Sequence, residues 1–194
     1  MDAAAVLRTQ AALTSKVVGG VRAEQLGLPT PCQAWDVRSL INHLCMTTRF
    51  CARVAAGEQA EPEYETDFLG GDPAGAYARE RDAMLQACSD PGLAERSVSL
   101  PVLGDLPGNV VPVLALSETV VHRWDLATAL GVDTAIDPEV ATFLLDQGRA
   151  MVGDTMRAPS ADQTTGSVPF GPPIEVGDDA SSADELLTFL GRTP

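Results

Sequence analysis

The sequence predicts an all-α fold, a four-helix bundle with a fifth helix and a short C-terminal extension. Four long segments carry apolar residues at helical spacing and are bounded by capping residues. One of them, from 110 to 130, is apolar around most of its circumference, as a centrally buried helix must be. The chain has 194 residues, 45% of them hydrophobic, enough for one domain with a real core.

In chain order, Val6, Leu13, Val17 and Val21 form a stripe on a first helix that ends at Gly19-Gly20 or shortly after. Leu28-Pro29-Thr30-Pro31 reads as a rigid extended connection. Asp36 is placed to cap a second helix running from Val37 to about Ala56, with Leu40, His43, Leu44 and Thr47 on one face. The stretch from Glu58 to Asp72 is acidic, carries Pro62, Gly70 and Gly71, and reads as a loop. Asp72-Pro73 opens a third helix that lasts to about Cys88. Ser97 to Leu100 reads as a short strand or hairpin arm before a turn at Leu106-Pro107-Gly108-Asn109. Asn109 is the expected cap of the fourth helix, and Gly131 its terminator. Asp137-Pro138 starts a fifth helix to about Val152.

Seven of the residues from Ala158 to Gly177 are proline or glycine, which predicts a loop with a short extended arm around Val168-Pro169-Phe170. Ser182-Ala183-Asp184-Glu185 has the pattern of a capping box before a last short helix, Leu186 to Leu190. The expected organisation is a metal-binding bundle over 1–156 and an extension over 157–194 packed on it.

Charge and composition narrow the function. A net charge of −14 repels phosphate backbones, so a nucleic-acid partner is not expected. No apolar run reaches the roughly 18 residues of a membrane span. Met1-Asp2-Ala3 lacks the basic flank of a signal peptide, and a cytoplasmic location is the expectation. The cysteines at 32, 45, 51 and 88 show no Cys-x-x-Cys spacing and read as buried free thiols.

The chain has two histidines, and both fall inside expected core helices. Glu118 and His122 are spaced i, i+4 on the fourth helix, hence on one face. With His43 from the second helix they form a His₂Glu set, which with an open position is the donor arrangement of a catalytic zinc site. With 27 acids in 194 residues, a histidine has about a one-in-four chance of an acid four positions away, so the spacing that places donors on one face is weak by itself. Histidines that merely hydrogen-bond in the core remain an open reading. A carboxylate within Leu114-Ala115-Leu116-Ser117-Glu118-Thr119-Val120-Val121 must however be paired, protonated or bound to a cation. Asp125 shares the face of Glu118 and His122. It is a candidate to orient a ligand imidazole or contact substrate, and alternatively a salt-bridge partner for an arginine. Trp35 and Trp124 read as core anchors, and Arg123 as a solvated or salt-bridged side chain.

Thr30-Pro31-Cys32, Trp35-Asp36-Val37, Leu40 and Asn42-His43-Leu44, followed by Glu118 and His122-Arg123-Trp124-Asp125-Leu126-Ala127, resemble the metal-binding domain of mycothiol-dependent maleylpyruvate isomerases, within the DinB-like superfamily of four-helix bundles. Gly71-Asp72-Pro73 and Leu187-Thr188-Phe189-Leu190-Gly191-Arg192 are similar to its single-domain actinobacterial branch. The resemblance implies metal ligation by His43, Glu118 and His122. The metal would be zinc, or nickel, iron or cobalt, which accept the same donors. It also implies a low-molecular-weight thiol such as mycothiol, activated at the metal to attack a small electrophile. The full isomerase has a second, sterol-carrier-like domain, for which residues 157–194 are too few, so maleylpyruvate isomerase activity itself is not expected. The expected function is a metal-dependent thiol transferase or isomerase; the alternative is a non-catalytic metal-containing binding or stress-response protein. Either would work as a monomer or homodimer.

Overall fold

The structure, a computed structural model, describes residues 1–33, 35–101, 103–160, 168–177 and 179–194. Six α-helices and one small hairpin make up its regular structure: α1 (Ala3–Gly19), α2 (Val37–Ala55), α3 (Pro73–Cys88), β1 (Ser97–Leu100), β2 (Gly104–Pro107), α4 (Val110–Leu130), α5 (Pro138–Met151) and α6 (Ser182–Phe189). Helix α1 packs on α3 and α4, and α2 packs on the same two, so the four close a ring around two clusters of buried apolar side chains. Helix α5 packs chiefly on α6. The expected all-α bundle is the fold observed. Among the described residues, no helix is long and apolar enough to cross a membrane.

Aspartates start most of these helices. Asp2, Asp36, Asp72 and Asp137 each accept from backbone N–H groups of the first turn, Asp36 from Ser39 N at 2.7 Å, satisfying donors that have no partner inside the helix. Gly131 ends α4 at φ 66°, the left-handed conformation glycine adopts without a Cβ clash.

Four sequence expectations are corrected. Asn109 caps nothing through its side chain; its backbone is already helical, at φ −64° and ψ −9°. The hairpin turn lies before Gly104, and Leu106 and Pro107 belong to β2, paired with Val98 and Ser97. Gly104, at φ 74°, supplies a positive φ at the start of β2. The last helix begins at Ser182 because the capping pair is Ser181 and Asp184: Asp184 N donates to Ser181 Oγ at 3.1 Å, and Ser181 N donates to the Asp184 carboxylate at 3.2 Å. The Leu28–Pro31 connection does not run on extended. Thr30 Oγ1 donates to the carbonyls of Cys32 and Trp35, at 3.0 and 2.8 Å, and folds the chain back so that Pro29 pairs with Asp36.

The extended arm is present: Ala158 N donates to Phe170 O at 2.7 Å and Phe170 N to Met156 O at 3.2 Å. The part of the loop reading that falls on 161–167 lies outside the described residues. Arg157 fastens the arm, its Nη1 donating to Gly171 O at 3.0 Å and to Phe189 O at 2.9 Å. The acidic loop between α2 and α3 is also fastened. Asn42 donates to Thr66 O and accepts from Phe68 N, and Arg53 ion-pairs with Glu58 and Glu63.

Candidate metal centre

Helices α2 and α4 face each other, and their facing sides carry the histidines. His43 Nε2 lies 3.1 Å from Glu118 Oε2, and His122 Nε2 lies 3.4 Å from the same oxygen. One ligand atom from each residue can be chosen so that all three lie within 4.8 Å of one another. Among the described residues no further histidine, cysteine, aspartate or glutamate joins this group. The fit to a cation can be checked on those separations. Ligand bonds of about 2.0–2.2 Å at tetrahedral angles put donor atoms roughly 3.3 Å apart. Both carboxylate-to-imidazole edges fit that length, which is also hydrogen-bond length, and the set as a whole, spread within 4.8 Å, would draw in slightly around an ion.

Asp125 contacts both an imidazole and an arginine. Its carboxylate is fully buried, 2.9 Å from His122 Nδ1 and 3.0 Å from Arg192 Nη2. A His122 that gives its Nδ1 proton to Asp125 turns an Nε2 lone pair toward Glu118, the tautomer a metal ligand needs. Asp125 is not on the pocket wall, so contact with substrate, the other role considered for it, finds no support.

The electrostatics couple the three side chains and Asp125. Burial opposes charge on Glu118, yet hydrogen bonds from His122 and His43 hold its carboxyl well below the usual carboxylate range. Burial likewise opposes charge on His122, and hydrogen bonds to Asp125 and Glu118 overcome it, pushing the imidazole up to about 9. Burial keeps His43 below the usual imidazole value. A single proton, held at His122 between two carboxylates, thus does in the metal-free protein what a cation would do.

Glu118, with 26% of its side chain exposed, opens into a pocket of about 210 Å³. Several lining residues were not legible in the sequence. Trp35 is not simply a core anchor: its ring stacks on His43 at 4.2 Å, with His122 5.8 Å away. Phe170 and Leu190 from the extension close one wall, and Arg192 reaches Asp125 from 67 residues away. The one available signal was that a buried aspartate needs a cationic or donor partner; which arginine supplies it cannot be read from spacing. Trp124 is a core residue as expected. Arg123 is neither solvated nor ion-paired: it is buried and donates to Ala135 O at 2.8 Å.

All four cysteines are free, and three are buried. Cys32, on the pocket wall, is only half-buried by surface, yet its surroundings push its thiol up to about 12 through desolvation. Cys51, also on the wall, is raised as well, for the same reason. A thiol held protonated is a poor nucleophile, and in the metal-free protein both are held so.

A helical bundle holding a His₂-carboxylate group at the floor of a pocket defines a class of candidate metal-binding bundles. The chain belongs to the mycothiol maleylpyruvate isomerase N-terminal domain family, whose model matches residues 7–127. That span contains His43, Glu118, His122 and Asp125 and excludes Arg192. Two uncharacterised proteins of Mycobacterium tuberculosis, from strains CDC 1551 / Oshkosh and ATCC 25618 / H37Rv, are each 36% identical over 177 residues, covering 91% of this chain and 90% of the relative. Similarity to them therefore extends past the family match into the C-terminal part. No solved structure matches the chain.

Proposed function

We propose that the protein binds one divalent metal ion, zinc before nickel, iron or cobalt, through His43, Glu118 and His122. There it uses a low-molecular-weight thiol such as mycothiol to attack a small electrophile, as a thiol transferase or isomerase. The observation that carries this reading is the convergence of three donors, all within 4.8 Å, at the floor of a pocket. A bound divalent cation supplies the charge that lowers a thiol's pKa, so that thiolate exists at neutral pH.

The chain's own residues do the rest. Asp125 fixes the His122 tautomer, and Arg192 fixes Asp125. With both imidazoles neutral, Glu118, Asp125 and Arg192 sum to one negative charge. A divalent cation among them leaves one positive charge for a monoanionic ligand, and a thiolate is one. Neither pocket cysteine belongs to the donor group, which favours a thiol brought from outside. Three protein donors and an adjoining pocket favour an open coordination position over the closed four-ligand site of a structural metal, and so favour chemistry over a purely structural or storage role.

Cobalt-loaded protein titrated with mycothiol tests this. A saturable sulfur-to-cobalt charge-transfer band, lost in His122→Ala, is expected. Bound cobalt with no such band at saturating thiol would overturn the thiol half of the proposal.

A further inference from the structure

The pocket itself limits what the electrophile can be. Its walls are mostly apolar, with Met46 and Phe50 from α2, Leu114 and Val121 from α4, and Phe170 and Leu190 from the extension; the neutral hydroxyls of Thr47, Tyr64 and Ser117 also line it. Apart from the ligand group, one charged side chain lies on the wall among the described residues, Arg192. Its charge is already offset within the protein: Nε and Nη2 donate to Asp125 at 3.3 and 3.0 Å, and Nη1 donates to Leu190 O at 3.1 Å. The positions outside the described set, 34, 102, 161–167 and 178, contain no lysine or arginine.

We infer that this pocket takes a small, uncharged, apolar or aromatic molecule and rejects carboxylates. This rests on the proposed thiol chemistry for its catalytic meaning, but the selectivity follows from the wall alone. A carboxylate entering here gives up its hydration and meets one cation, Arg192, whose charge the buried Asp125 already offsets. The thiolate would already neutralise the one positive charge at the floor, and the −14 protein repels anions at a distance. At about 210 Å³ the space is below the roughly 300–1,000 Å³ usual for drug-sized ligands, which sets the size near a single substituted ring. Trp35, stacked on His43 at 4.2 Å, offers such a ring an aromatic neighbour. A dicarboxylate such as maleylpyruvate, the substrate in the family's name, is the kind of molecule this wall disfavours.

Saturation-transfer NMR with 4-nitrotoluene and 4-nitrobenzoate, which share ring and size and differ in charge, tests the inference. It is run on metal-free protein and on zinc-loaded protein with excess 2-mercaptoethanol, and the metal content of both samples is measured. In both forms 4-nitrotoluene binds about tenfold tighter or more, because the carboxylate stays unpaired. Leu114→Arg, which adds a cation to the wall, gains binding of 4-nitrobenzoate and reverses the order. Equal or tighter binding of 4-nitrobenzoate to the wild type, no transfer to either probe, or a folded Leu114→Arg with the order unchanged would each overturn the inference. If Leu114→Arg does not fold, the wild-type order decides. If the protein takes up no zinc, the thiol proposal falls while the metal-free arm still decides pocket selectivity.

Discussion

Asp125 shows how much one side chain can organise. It is fully buried, with His122 Nδ1 on one side and Arg192 on the other, so neutralising it disturbs both. Asp125→Asn keeps the shape and removes the charge. Metal affinity, measured by competition with a chelator, should fall about 10–100-fold, the usual effect of removing a carboxylate behind a ligand imidazole. The shifted imidazole gives a pH prediction as well. In metal-free protein His122 is raised from 6.5 to about 9, so it contributes stability that is complete below about pH 6.5 and lost as pH rises through about 9. Metal-free protein should therefore lose Tm between pH 7 and 9.5. The zinc-loaded protein, whose ligand imidazole is already neutral, should lack that component. Glu118, His122 and Asp125 were legible as neighbours because helical spacing puts them on one face, and His43, on another helix, was joined to them by the family resemblance. Arg192 and Trp35 were not, because their placement depends on how distant segments return to the site.

At the level of elements, local chemistry decides where helices start. Asp36 accepts from Ser39 N, and Asp36→Ala should cost about 1 kcal/mol in urea unfolding, with no change in fold. Gly108 is a tighter constraint: a Cβ there would sit 2.1 Å from Leu93 O. Gly108→Ala should destabilise the hairpin by more than an exposed Gly→Ala substitution, since backbone must move. The aspartate caps were readable in the sequence because one residue type answers one local need. Asn109 and the hairpin turn were misread because a cap or turn residue can stand one or several positions from the place that uses it. Ser182 was misread for Ser181 in the same way.

Across the whole molecule, α1 to α4 form the ring that carries the candidate ligands, and the C-terminal arm completes the pocket beside them. Arg157 ties that arm through two carbonyls and lies 4.6 Å over the Phe189 ring. Arg157→Ala leaves both carbonyls without their donor and should cost roughly 1–3 kcal/mol, with metal stoichiometry unchanged because every proposed ligand sits on α2 or α4. The bundle was legible from periodicity. The arm's place over the pocket was not, since a proline- and glycine-rich stretch has no period to read and its position is set by contacts with Arg157 and α6. The central claim is that His43, Glu118 and His122 hold one metal ion. Elemental analysis of the purified wild type beside His122→Ala, each dialysed after exposure to zinc, tests it most directly. About one ion per chain in the wild type and almost none in a folded His122→Ala is the predicted result, and equal metal in the two proteins would contradict it.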